Sequence, residues 1–203
     1  MMKNFVAYIL IMLYFAAPVP AQNSKQARAA LDKIAKTVGR SGGASASFSL
    51  SNGSGKASGT IVIKGNKFHA RTADAIVWYN GKTQWTYMKK NNEVNISNPT
   101  QAQMQQMNPY AFINIYKSGY TLSMKTKGNS QEIHLVAQDK KRSIQELYIT
   151  ANAKTSVPSV VKMKHNKKWT TITISNFSAK NVADGVFTFK SKDYPSAEVI
   201  DLR

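Results

Sequence analysis

The 203-residue chain contains no cysteine, few acidic residues and, beyond residue 17, no long apolar run. Without cysteine there are no disulfides, no thiolate metal sites and no cysteine nucleophile. The thiol on which bacterial lipoproteins are acylated is also missing, which excludes anchoring by that route. Ten Asp and Glu stand against 28 Lys and Arg, a formal net charge of +18. A field of that size draws anionic surfaces, whether nucleic acid, phospholipid head groups or acidic partners. The basic residues are dispersed, as in Lys89-Lys90, Lys140-Lys141-Arg142 and Lys162, Lys164, Lys167 and Lys168. Charges spread over hairpins read first as solvated faces. His69, His134 and His165 have no metal-ligand spacing. There is no G-x-S-x-G, H-E-x-x-H or phosphate-binding glycine loop. No metal, no cofactor and no enzymatic activity are expected.

The N-terminus carries an address. Lys3 precedes the 13-residue apolar run Phe5 to Ala17, and Pro18-Val19-Pro20-Ala21 follows. Small residues at Val19 and Ala21 suit cleavage before Gln22. The run falls short of the about 20 apolar residues that span a bilayer. Residues 1–21 are therefore read as a signal peptide and 22–203 as one soluble domain. Export argues against nucleic acid as the ligand. Binding to a polyanion or an adhesion role stays open on charge alone.

A helix should follow the leader. Asn23 or Ser24 can cap it, Ala27, Leu31, Ile34, Ala35 and Val38 share a face, and Gly39 can end it. The period then becomes two. Ala44, Ala46, Phe48 and Leu50 alternate with Ser45, Ser47, Ser49 and Ser51. Ile61, Ile63, Phe68 and Ala70 continue the pattern. Asn80-Gly81 between aromatic-rich runs predicts a two-residue hairpin, with Tyr79 opposite Lys82 and Ile76 opposite Trp85. One face then carries Ile76, Trp78, Trp85 and Tyr87. Residues 99–117 turn helical, with Asn98 and Asn108 as caps before Pro99 and Pro109. This insertion presents Met104, Met107 and Phe112. Further strands are expected near 120–125, 132–137, 144–150, 160–165, 169–174 and 186–190, with a tight turn at Asn166-Lys167. About ten antiparallel strands, one leading helix and a helical insertion imply a mainly β (α+β) fold: a strongly curved antiparallel sheet with helices in its concavity.

The stretch Gly59 to Lys64, Phe68, Ile76 to Tyr79 and Asn80-Gly81-Lys82-Thr83-Gln84-Trp85-Thr86-Tyr87, followed by the insertion, resembles the LolA family of lipoprotein carriers. Phe187-Thr188-Phe189, Tyr194-Pro195 and Val199-Ile200-Asp201 are similar to that family's C-terminal strand and tail. The resemblance implies an unclosed β-barrel with a helical lid over an apolar cavity for acyl chains. It implies a periplasmic chaperone that takes acylated lipoproteins from an inner-membrane ATP-driven extractor to an outer-membrane acceptor. A transient anionic membrane contact and a monomeric state fit that role, and free lipid or glycolipid is the alternative cargo. The cavity is expected to be lined by Phe48, Leu50, Ile61, Ile63, Phe68, Ile76, Trp78, Trp85, Tyr87, Met104, Met107 and Phe112. Lys64-Gly65-Asn66-Lys67 stands where the family often has a basic residue beside proline, an arginine that helps hold the lid closed.

Overall fold

The computed structural model describes residues 19–100, 103 and 115–203. Among the described residues one complete α-helix stands, α1 (Val19–Val38), with twelve strands: β1 (Ala44–Asn52), β2 (Gly55–Lys64), β3 (Lys67–Thr72), β4 (Ala75–Tyr79), β5 (Gln84–Met88), β6 (Glu93–Ser97), β7 (Tyr120–Lys127), β8 (Ser130–Ala137), β9 (Ile144–Asn152), β10 (Pro158–His165), β11 (Lys168–Ala179) and β12 (Glu198–Asp201). All lie in one sheet of order β12-β6-β5-β4-β3-β2-β1-β11-β10-β9-β8-β7. The sheet does not close: β7 and β12 are its edges. Every pair is antiparallel except β12 on β6, which is parallel. The sheet is therefore mixed and has more strands than the sequence predicts.

The apolar members of successive strands converge on the face that carries α1. Ala27, Ala30, Leu31, Ile34 and Val38 of the helix join Ala46, Ile61, Ile63, Phe68, Leu122, Ile133, Leu135, Leu147, Ile149, Val161, Ile172 and Ile174 in one buried cluster. Alanines along the stripe let the helix backbone approach the sheet closely. A bulge in β11 sets Asn176 at φ 52° and shifts the pairing between Ser45 and Ser47 of β1. Such an extra residue bends its strand and increases local twist.

Asn23 does not cap the helix. It lies within α1, where its Nδ2 donates to Met124 O (3.1 Å) and its Oδ1 accepts from Met124 N (2.6 Å). It thereby satisfies two backbone groups on edge strand β7. At the other end Gly39 N closes the last turn on Ala35 O.

The β4–β5 register differs from the prediction. Trp78 faces Trp85 and Tyr79 faces Gln84, so the loop has four residues, Asn80 to Thr83. Asn80 Oδ1 accepts from the backbone N–H groups of Lys82 and Thr83, an arrangement that favours the longer loop. The slip is even, so every side chain keeps its face. The β10–β11 turn is the two-residue type, with Asn166 and Lys167 both at positive φ. The segment 186–190 is not a strand. A 3₁₀ turn (Asp184–Phe187) and an extended strap occupy that region, and the strap ends in β12.

Candidate functional site

The β2–β6 ladder decides which residues share a face. Ala46 pairs with Ile61, Ile61 with Ala70 and Ala70 with Val77; Ile63 pairs with Phe68 and Phe68 with Tyr79. These lie on the face that carries α1. His69 pairs with Trp78, Trp78 with Trp85 and Ile76 with Tyr87, on the opposite face. The expected cavity lining thus divides. Phe48, Leu50, Ile61, Ile63 and Phe68 lie together on the inner face. Ile76, Trp78, Trp85 and Tyr87 lie on the outer face and do not join them. Alternation shows which residues share a face; it does not show which face of the hairpin meets the helix. Met104, Met107 and Phe112 lie outside the described residues.

The outer aromatic face is covered by the C-terminal strap. Trp78 meets Phe189 and Tyr194 edge-on at 5.4 and 5.6 Å, and Tyr87 meets Tyr194 at 4.7 Å. Phe187 and Val94 are fully buried, and Ile76 and Trp78 are buried beside them. Lys64 Nζ lies 2.9 Å from Asp184 Oδ1 and donates to Val182 O, while Lys67 lies 3.3 Å from the other carboxylate oxygen. Hydrogen bonds from Lys64 and Lys67 hold the Asp184 carboxyl below its ordinary pKa. Lys64 and Lys67 therefore fasten the strap. Burial, then Arg71, push the stacked His69 imidazole below its usual value.

On the inner face the core has an open margin. Phe48, Leu50, Ala70, Val77 and Met163 are only half-buried and pack against the buried cluster. Each stands a few residues from the β1–β2, β3–β4 or β10–β11 turn, so they gather at one end of the sheet. At the other end, clefts of about 670 and 570 Å³ lie either side of Phe177. Ala151, Val157 and Ile174 line the first; Lys36 and Arg40 edge the second. Beyond β4 the inner face turns polar at Gln84 and Thr86, whose side chains hydrogen-bond each other. Gln84 Oε1 is buried and has no partner among the described residues.

The connection from β6 to β7 joins strands at opposite sides of the sheet. Its ends are tied down. Thr100 and Gln103 exchange hydrogen bonds through backbone N–H and side chain in a capping box, which displaces Asn98 from that role. Asn98 instead accepts from the Thr83 hydroxyl. At the far end Tyr116 is buried and its hydroxyl donates to Asp32 Oδ1 at 2.5 Å. Arg28 reaches the Tyr116 and Lys117 carbonyls. Sequence reading missed this contact, because a lone Arg and Asp on an alanine-rich helix resemble ordinary surface charges.

Among the described residues no group of three or more His, Asp or Glu is placed to hold a metal. No described helix is long and apolar enough to cross a membrane. His69 stacks on Trp78, His134 contacts Glu146 and His165 ends β10.

The arrangement is shared with known proteins. An uncharacterized conserved protein from Thermus thermophilus superposes with a TM-score of 0.61 at 11% identity, over 87% of this chain and 99% of that one. MucB superposes with a TM-score of 0.51 at 10% identity, over 83% of this chain and 64% of that one. A LolA superfamily protein from Nitrosomonas europaea matches at 10% identity with a TM-score of 0.45, over 80% and 97% of the two chains. No curated protein sequence matches the chain. The family model described as outer membrane lipoprotein carrier protein LolA matches residues 18–167. With most of its length matched and its open sheet in place, the chain belongs to the LolA family of outer membrane lipoprotein carriers.

Proposed function

We propose that the protein carries the acyl chains of lipoproteins on the inner, apolar face of its sheet. The observation that carries this reading is the half-buried margin of Phe48, Leu50, Ala70, Val77 and Met163, continuous with the buried core. Large apolar residues gathered partly open at one end of a sheet face form a patch that an apolar ligand can cover. Family membership supports the same cargo. Each buried methylene contributes about 0.8 kcal/mol, so one long acyl chain supplies on the order of 10 kcal/mol. The role of lid falls in this reading to the β6–β7 connection, to which Met104, Met107 and Phe112 belong. Methionine suits a surface that repacks around chains of varying shape.

The leader, residues 1–21, directs export. The remainder acts in the periplasm as a monomer between an inner-membrane extractor and an outer-membrane acceptor. No catalysis belongs to this reading. Recovery of the protein from its native envelope, followed by mass spectrometry of what it holds, tests the cargo. An acylated polypeptide is the expected result, and its absence after trapping counts against the reading. Lys36 and Arg40 at the second Phe177 cleft favour a second cargo, free lipid or glycolipid with an acidic head group. Co-purified lipid with no attached polypeptide supports that alternative.

A further inference from the structure

The outer face of β1 and β8–β11 is built for water. Ser47, Ser49 and Ser51 lie opposite Ser175, Thr173 and Thr171. An aromatic cluster interrupts this hydroxyl field. His134 stacks flat on Tyr148, with centroids 4.1 Å apart and planes 5° apart. Tyr148 and Trp169 stand 5.9 Å apart, tilted by 41°. Trp169 is 39% exposed. Neither core packing nor strap contact accounts for a tryptophan there: its neighbours across the pairing are Lys164 and, diagonally, Lys162.

The cluster is held rigid from one side. Glu146 Oε1 accepts from His134 Nε2 (2.9 Å) and the Tyr148 hydroxyl (3.1 Å), and Oε2 lies 3.5 Å from Lys164 Nζ. Lys164 in turn sits over the Trp169 ring at 5.5 Å. Burial alone would raise the Glu146 carboxyl, but the bonds from His134, Tyr148 and Lys164 hold it below its ordinary range, so it stays an anion that fixes the rings. A cleft of about 340 Å³ lies between the two aromatic walls, lined by Tyr148, Trp169, Lys162, Glu132 and Thr171. Lys162 and Glu132 are exposed and form no ion pair among the described residues. Trp169 and Thr171 also lie beyond residue 167, where the family match ends.

We infer that this cleft binds an acidic sugar ring of a saccharide chain. Two rings fixed at an angle offer the flat C–H faces of a sugar an apolar wall. Thr171 and Glu132 meet its hydroxyls, and the uncommitted Lys162 ammonium meets its carboxylate or phosphate. Glu132 and Glu146 beside the tryptophan speak against an anionic bilayer as the occupant, because a flat negative surface would face both carboxylates. The site lies on the sheet face opposite the acyl-chain margin, so the two can be occupied together.

At +18 the protein attracts any polyanion, so the test turns on substitutions that separate shape from charge. Binding of an oligogalacturonide is measured by calorimetry at physiological salt, with a neutral malto-oligosaccharide and phosphatidylglycerol vesicles as comparisons. Trp169→Ala leaves the charge unchanged and is expected to weaken oligogalacturonide binding by about tenfold, the equivalent of 1.4 kcal/mol. Lys162→Met is expected to weaken it similarly, and Lys140→Met, in the β8–β9 turn, to leave it unchanged. Circular dichroism of each variant confirms the fold. Equal binding by Trp169→Ala and the parent overturns the inference, as does equal loss from Lys140→Met and Lys162→Met. So does Trp169-dependent binding to the vesicles in place of the sugar.

Discussion

Tyr116 joins the β6–β7 connection to the helix, and its chemistry can be read by pH. Burial first, then the hydrogen bond to Asp32, push its phenol up to about 12. In the unfolded chain the phenol ionises near 10. Between these values the unfolded state loses its proton first, so stability falls as pH rises through this window and is fully present below it. Tyr116→Phe should therefore flatten the loss of stability between pH 10 and 12 in urea melts. At neutral pH the same change should cost about 1 kcal/mol for the missing hydrogen bond. Gly119 makes a second residue-scale case. Its φ is +75°, and an added Cβ would meet Arg142, which lies over the Tyr120 ring. Gly119→Ala should cost about 1–2 kcal/mol, mainly from backbone strain, in chemical denaturation. Neither residue could be picked out from sequence: Tyr116 looks like one more insertion aromatic and Gly119 like a simple helix stop.

Elements were legible where period alone decides, and illegible where a distant partner decides. The two-residue alternation from Ala44 to Leu50 and the Asn166-Lys167 turn follow directly from local chemistry, and the structure has both. The Asn80 loop is longer than the Asn-Gly pair implies because the Asn80 side chain also sets the turn. Phe187-Thr188-Phe189 alternates like a strand, yet its rings pack across a face instead of pairing along an edge. Two predictions belong here. Asn23→Ala removes both bonds to the edge of β7 and should lower stability by about 1–3 kcal/mol, with faster hydrogen exchange at the Met124 amide. Removal of residues 191–203 uncovers Trp78 and Tyr87 by taking away Tyr194 and β12. Tryptophan emission should shift to the red and the melting temperature should drop. Acyl-chain binding, on the other face, should persist in the folded fraction.

At the scale of the whole molecule, a twelve-stranded sheet that stays open separates an inner apolar face from an outer aromatic patch. The outer aromatic face is sealed by the chain's own C-terminus, which makes it structural. The inner face is covered by α1 over β7 and β8 and leaves an apolar margin open, the surface proposed for the acyl chain. The family resemblance was legible from the order of elements. The division between faces was not, because it depends on where the C-terminal strap returns. Locating a bound acyl chain tests the carrier role of the inner face most directly. A diacylated lipopeptide with a spin label at one acyl terminus is added to methyl-labelled protein, and line broadening is mapped by NMR. The methyls of Leu50, Val77 and Met163 should broaden, while those of Ile76 and Val94 on the outer face stay sharp. Broadening confined to Ile76 and Val94, or none at any of the five, would contradict the assignment of the inner face as the carrier site.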